Sequence, residues 1–211
     1  ANGQTNGKTN GEVYKVKPGN SKYVDVNKDG VYNDADQGII GCGQPTFNWG
    51  WNNTFNYKNF DFSFFVVGFH GFDIYNATHQ MGYNLIKSQQ MAGVTPMREL
   101  LNRWTPTNTN TDIPGFVKGG TENKDFFSTR FVENGSFIKM KSITLGYTLP
   151  EATCRSLGIN NLRVYASVQN PFHITKYSGL DPEATMGSPL VQGVDWGAYP
   201  NSRNYLIGLN F

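Results

Sequence analysis

The residues best spaced for chemistry lie in one stretch, Asp25-Val-Asn27-Lys-Asp29-Gly30-Val31-Tyr-Asn33-Asp-Ala-Asp36. A hard cation such as Ca²⁺ takes about six to eight oxygen ligands, and twelve-position loops draw them from the first, third, fifth, seventh, ninth and twelfth residues. Asp25, Asn27 and Asp29 fill the first three of those places, Val31 offers its carbonyl, and Asn33 and Asp36 complete the set. Gly30 falls at the sharp turn. Asp36 stands where such loops usually carry a longer, bidentate Glu. A structural Ca²⁺ or Mg²⁺ is expected here, stiffening an exposed loop with no part in catalysis. The same residues also suit a plain solvated Asp/Asn/Gly turn, and no flanking helices are evident.

Other reactive constellations are missing from the sequence. His70, His79 and His173 form neither an HExxH pair nor a zinc spacing with the two cysteines, Cys42 and Cys154. No nucleophile elbow, Walker loop or dinucleotide fingerprint occurs. Asp181 and Glu183 are a nearby acid pair, read as structural rather than as a catalytic couple. The reading is therefore of a protein that is not an enzyme. Four aromatic residues, Trp104, Tyr177, Trp196 and Tyr199, sit in polar stretches, where they suit stacking on a substrate or partner as well as ordinary loop packing.

The elements that must carry these residues follow from composition and periodicity. The 211 residues include 15 Phe, 11 Tyr, 4 Trp, 24 Gly and 24 Asn, with only 16% charged. That balance favours strands and turns over helices. The net charge of +2 gives no nucleic-acid footprint. The best apolar run, 62–69, is far short of the roughly 18 residues of a membrane helix. That excludes a helical membrane protein and leaves a transmembrane barrel open, because a barrel's lumen face is polar.

Period-two alternation is clear in five places. In 47–57, Phe47, Trp49, Trp51, Phe55 and Tyr57 share one face, against Asn48, Gly50, Asn52, Thr54 and Asn56. A Lys58-Asn59 turn follows, with the left-handed conformation assigned to Asn59, and a second strand runs through 60–70. Further strands are expected over 136–149, 161–172 and 203–211, where Tyr205, Ile207, Leu209 and Phe211 lie on one side. The connections alternate short and long, as in bacterial outer-membrane barrels. A chain starting outside and crossing five times puts Phe211 in the periplasm and separates Cys42 from Cys154. About five strands cannot close such a barrel, so more chain is expected upstream. A helix is expected from a Thr95 cap and Pro96 through Met97, Leu100, Leu101 and Trp104. The domain reading is an N-terminal loop, 1–44, holding the cation site, then barrel strands over 45–211 with extracellular loops near 71–130 and 174–200. The fold class is all-β: the C-terminal strands of a transmembrane antiparallel β-barrel. An antiparallel sandwich has the same periodicity, so a secreted calcium-dependent carbohydrate-binding module stands as the alternative.

Several segments carry a family resemblance. They are the cation loop followed by Ile40-Gly41, Tyr57-Lys58-Asn59-Phe60-Asp61, Gly71-Phe-Asp-Ile-Tyr75-Asn76, Asn102-Arg-Trp104, and Glu133-Asn-Gly135-Ser136-Phe137 through Gly146-Tyr147. Val168-Gln-Asn170-Pro-Phe172, Lys176-Tyr-Ser-Gly179-Leu-Asp-Pro-Glu183 and terminal Phe211 continue it. In order and content these resemble the SusC/RagA family of TonB-dependent outer-membrane transporters. The resemblance implies a multi-pass protein of the bacterial outer membrane that imports glycans or peptides. It also implies a 22-stranded barrel, an upstream plug, TonB contact through the upstream segment, and a SusD-like lipoprotein lid. Tyr205, Ile207, Leu209 and Phe211 would then form the C-terminal signal for barrel insertion.

Overall fold

Aromatic and β-branched side chains alternating with amides, hydroxyls and glycines cannot satisfy a helix, but they dress a two-faced sheet well. The structure, a computed structural model, describes residues 5–9, 12–15, 18–21, 23–29, 31–32, 34–83, 96–115, 128–183 and 192–211. These fall into two compact units, one of residues 1–40 with 77–131 and one of 41–76 with 132–211.

In the first unit, β1 (Thr5–Thr9), β2 (Glu12–Lys15) and β3 (Val31–Tyr32) form a small sheet with β1 in the centre. The second unit is built on β4 (Phe47–Tyr57) and β5 (Phe60–His70), followed by the short β6 (Asp73–Asn76). The chain re-enters the first unit at α1 (Ala77–Tyr83) and returns through β7 (Val132–Asn134) and β8 (Phe137–Thr148). It then runs through α2 (Glu151–Ser156), β9 (Arg163–Thr175), β10 (Val194–Asp195) and β11 (Asn204–Asn210). The large sheet is an antiparallel meander in the order β4, β5, β8, β9, β11, and β6 lies between β7 and β10 in a smaller sheet. The five expected strands are these five: β4 and β5 have the expected bounds, and the ends of β8, β9 and β11 are shifted by one to three residues.

Register aligns one apolar face across all five strands. Trp51 stands opposite Val66, Phe55 opposite Phe62, Phe62 opposite Leu145, Leu145 opposite Ala166, and Ala166 opposite Ile207. The rings interlock, with Trp51 edge-on to Phe64 at 5.1 Å and Phe60 against Tyr147 at 4.7 Å. This face is solvent-exposed: Trp51 is 54%, Ile207 85% and Leu209 54% exposed. The reverse face carries Asn52, Asp61, Ser63, Thr144, Arg163, Ser167 and Gln169.

One irregularity governs the first half of β8. Ser142 pairs with Phe65 but Met140 pairs with Val66, so Lys141 is an extra, bulged residue. Strict alternation back from Tyr147 would set Lys141 and Lys139 on the apolar face. A bulge reverses the parity. Met140 and Ile138 take the apolar side, and Lys139 moves to the polar side opposite Val67. The buried core, Phe72, Ile74, Phe137 and Tyr177 with Phe69 against it, lies on that polar side where the connections after β5 and β9 fold onto the sheet.

Two local expectations need correction. Lys58, not Asn59, takes the left-handed conformation at φ 53°, and its ammonium rests 5.5 Å from the Tyr57 ring centre. The helix expected through Trp104 is one 3₁₀ stretch, Arg98–Asn102, with Leu100 buried and Leu101 exposed. It stops because Arg103 is extended and the Trp104 amide bonds Ile113 O at 2.9 Å rather than continuing the turn. Thr95 lies outside the described residues.

Near the other end of the polar face, Arg163 on β9 reaches across β8 to Asp61 on β5, with Nε 2.8 Å from Oδ1 and Nη2 2.5 Å from Oδ2. The pair crosses directly above Gly146, where a β-carbon would overlap both the carboxylate and the guanidinium. Gly208 plays the same part for the Tyr165 ring. Gly146→Val is expected to cost about 1–3 kcal/mol in denaturant unfolding through overpacking. In an Asp61→Ala/Arg163→Ala background its cost should fall by half or more, since contacting sites are not additive.

Candidate functional site

The densest polar chemistry lies where the 176–203 connection meets β8. Lys139 Nζ donates to Asp181 Oδ2 at 2.9 Å and to Glu183 Oε2 at 2.7 Å, while Lys141 pairs with the other Glu183 oxygen. Asn201 adds its backbone N–H and its amide to Asp181 Oδ2, each at 3.2 Å, and its amide to Glu183 at 3.1 Å. Lys139 is 2% exposed and Asp181 4%, so this is an ion cluster inside protein. A buried charge is costly unless paired and hydrogen-bonded, and here each finds both conditions. Burial alone would raise both carboxyl pKa values. The Lys139 bond outweighs it, joined by backbone N–H bonds at Asp181 and by Lys141 at Glu183, and holds both groups below the ordinary carboxylate range.

Two further carboxylates tie the same connection down. Glu133 accepts the Ser178 N–H and hydroxyl, each at 2.7 Å, and the Asn76 amide at 2.9 Å. Asp195 accepts the Tyr177 hydroxyl at 2.5 Å on Oδ2 and the Gly197 and Ala198 N–H groups at 2.8 and 3.0 Å on Oδ1. Burial, then this bond to Asp195, pushes the Tyr177 phenol far above its usual range, keeping it a neutral donor. The chemistry of the site is mechanical: these charges and hydrogen bonds fix a loop.

The four aromatic candidates are placed differently. Trp196 is 49% and Tyr199 89% exposed, held out by the turn that Asp195 organises. Tyr177 departs from the expected exposed aromatic: it is 6% exposed and packs with Phe72, Ile74 and Phe137, so its present contacts are core contacts. Trp104 belongs to the other unit, half-buried with its indole against Gly19 and Gly115, where it lines a cavity of about 230 Å³ with Arg103 and Pro106. Tyr205, Ile207 and Leu209 lie on the exposed apolar face, and Phe211, just past β11, is 82% exposed.

Sequence reasoning missed Lys139, Lys141, Glu133 and Asp195. The sequence shows Lys139 and Lys141 two residues apart and Asp181 and Glu183 likewise, but their meeting depends on the bulge at Lys141.

The expected cation loop is partly visible. Asp36 is buried, and its Oδ1 accepts the Val26 N–H at 2.8 Å and the Asn27 N–H at 3.4 Å, closing the loop onto its first half. Asn27 Oδ1 accepts the Asp29 N–H at 3.0 Å. Oδ1 of Asp25 is shielded from solvent. Gly30 and Asn33 lie outside the described residues, and of Val31 only the backbone is described. Among the described residues no three acidic, His or Cys side chains gather at one point. The oxygen-only donor set suits a hard cation in kind.

Comparison with known proteins gives the context for this architecture. Over 199 residues the chain is 36% identical to TonB-dependent receptor P3 of Formosa agariphila, covering 92% of this chain and 19% of that protein. TonB-dependent receptor SusC of Bacteroides thetaiotaomicron is 32% identical over 196 residues, 92% of this chain and 18% of the receptor. A solved structure of the RagAB peptide transporter matches with a TM-score of 0.66 at 27% identity, over 79% of this chain and 17% of that one. The chain thus spans about a fifth of the length of the curated relatives it matches. No protein-family model matches it. The five-stranded sheet is a length of transporter barrel wall, unclosed because the chain holds only part of the barrel.

The carboxylates of the ion cluster make its stability depend on acid. Both folded-state values are depressed, so the stabilisation is complete above the ordinary carboxylate range and is lost as pH falls through the lowered values. Amide-exchange protection of residues 177–183 should be flat from neutral pH down to about 5 and should decline below about 4.

Proposed function

Since the chain belongs to the SusC/RagA family of TonB-dependent receptors, we propose that it supplies part of the wall of an outer-membrane importer for oligosaccharides or peptides. The observation that carries the reading is the exposed apolar face running across five strands with a polar reverse, the dressing a strand needs between lipid and an aqueous lumen. Most of the barrel and its plug would come from sequence outside this chain. TonB would act through that upstream portion, and a SusD-like lipoprotein would cover the mouth. Trp196 and Tyr199, exposed on the turn set by Asp195, are the proposed contacts to cargo or lid. The activity is binding and passage, with no bond made or broken.

Extraction in mild detergent tests this. Co-purification with the remaining barrel and a lipoprotein is the expected result; a detergent-independent monomer of 23.6 kDa would overturn it and favour the secreted module. Ile207→Lys, placing a charge on the apolar face, should cost about 2–4 kcal/mol and reduce assembled receptor in outer-membrane fractions, whereas Ser167→Lys on the reverse face should leave its amount nearly unchanged.

We also propose that the 25–36 loop holds a structural Ca²⁺ or Mg²⁺ through Asp25, Asn27, Asp29, the Val31 carbonyl, Asn33 and Asp36, with Asp36 already folded over Val26 and Asn27 in support. Asp25→Ala/Asp29→Ala should remove one equivalent of metal by elemental analysis and make the loop protease-sensitive. Unchanged metal content and protease resistance would refute the site.

A further inference from the structure

The polar face of the sheet is not polar along its whole length. Val67, Phe69 and Phe137 lie on it at one end, and Phe72, Ile74 and Tyr177 pack there. Segments of both long connections therefore fold onto the lumen side of the wall and do not stand clear of its rim.

The connection after β9 is tied at separated points. Ser178 is held by Glu133, Asp181 and Glu183 by Lys139, and Asp195 by the Tyr177 hydroxyl, while β10 pairs in parallel with β6. Pro182, between the two acids, is fully buried. A lysine on a lumen wall would ordinarily be among the most hydrated groups of a protein. At 2% exposure Lys139 is instead covered, which a loosely attached loop would not achieve.

We propose that residues 176–183 and 192–199 form a fixed collar on the lumen wall, clamped at Lys139, that narrows the passage at this end of the barrel and so limits the size of what enters. Lys139 is here a positioning residue: it holds the collar and need not touch cargo. The proposal rests on reading the polar face as the lumen. Removing the ammonium leaves the buried Asp181 carboxylate with neutral donors alone among the described residues, Asn201 and the Glu183 N–H, and no counter-charge, so the middle of the collar detaches while the barrel, built on the backbone ladders, stays closed.

The test uses the full-length receptor in intact cells, in a cysteine-free background, with Thr144→Cys on the polar face farther along β8 than Lys139. The probes are a small sulfonated maleimide and a bulky polyethylene-glycol maleimide. With Lys139 present, the small reagent should label Thr144→Cys readily and the bulky one slowly. Lys139→Met should raise the bulky reagent's rate by about tenfold or more, as expected from losing one member of a buried pair, with little change for the small reagent. Heat-modifiable migration confirms that the barrel is assembled. If Lys139→Met fails to assemble, Asp181→Asn, which keeps shape and loses the charge, should act in the same direction. An unchanged bulky-reagent rate in an assembled variant would overturn the collar. Labelling of Leu145→Cys but not Thr144→Cys would overturn the lumen assignment beneath it, a separate failure.

Discussion

One inserted residue decides on which side of this sheet two charges stand. In a strand the side-chain period is two, so an uninterrupted β8 would project Lys139 and Lys141 among Phe, Val and Ile on the apolar face. The bulge at Lys141 turns both toward the polar side, where Asp181 and Glu183 meet them. The apolar face is thereby left continuous, and the loop after β9 acquires its deepest anchor. A bulge bends the strand that carries it and increases local twist, so the same residue contributes to curvature as well as to chemistry.

The two ends of the polar face are held in different ways. Around Gly146 the face is spanned by a guanidinium–carboxylate bridge that needs the absence of a side chain beneath it. Around Lys139 it is covered by loop, and the covering brings its own apolar core. Both arrangements spend charged groups on joining strands or loops that are not neighbours in the sheet. Backbone ladders set neighbours; these side chains set what lies beyond them.

The strands were legible because alternation is strongest where one face meets an apolar phase and the other meets water, as in Phe47–Tyr57 and Asn204–Asn210. The bulge was not legible, because Phe137–Thr148 has neither Gly nor Pro near Lys141 to mark it. The misreading of 97–104 has a similar root: Met97, Leu100, Leu101 and Trp104 have helical spacing, but a long-range bond from Trp104 to Ile113 takes the chain out of the turn. Tyr177 looked like a surface aromatic because its neighbours in sequence are polar, and its burial depends on Phe72, Ile74 and Phe137, far away in the chain. Asp181 and Glu183 were recognisable as structural, but their lysine partners required knowing the register.

The rim of the wall is not level. β9 pairs with β11 only as far as Gln169 opposite Asn204, while on its other side it stays paired with β8 out to Thr175 opposite Phe137. Asn170 and Pro171 are bulged, so at about 3.3 Å per residue the stretch 170–175 extends roughly 15 Å along the strand beyond the last ladder rung of β11. The wall thus descends in a step toward its final strand. The edge from which the connections after β5 and β9 leave is a stair and not a straight line.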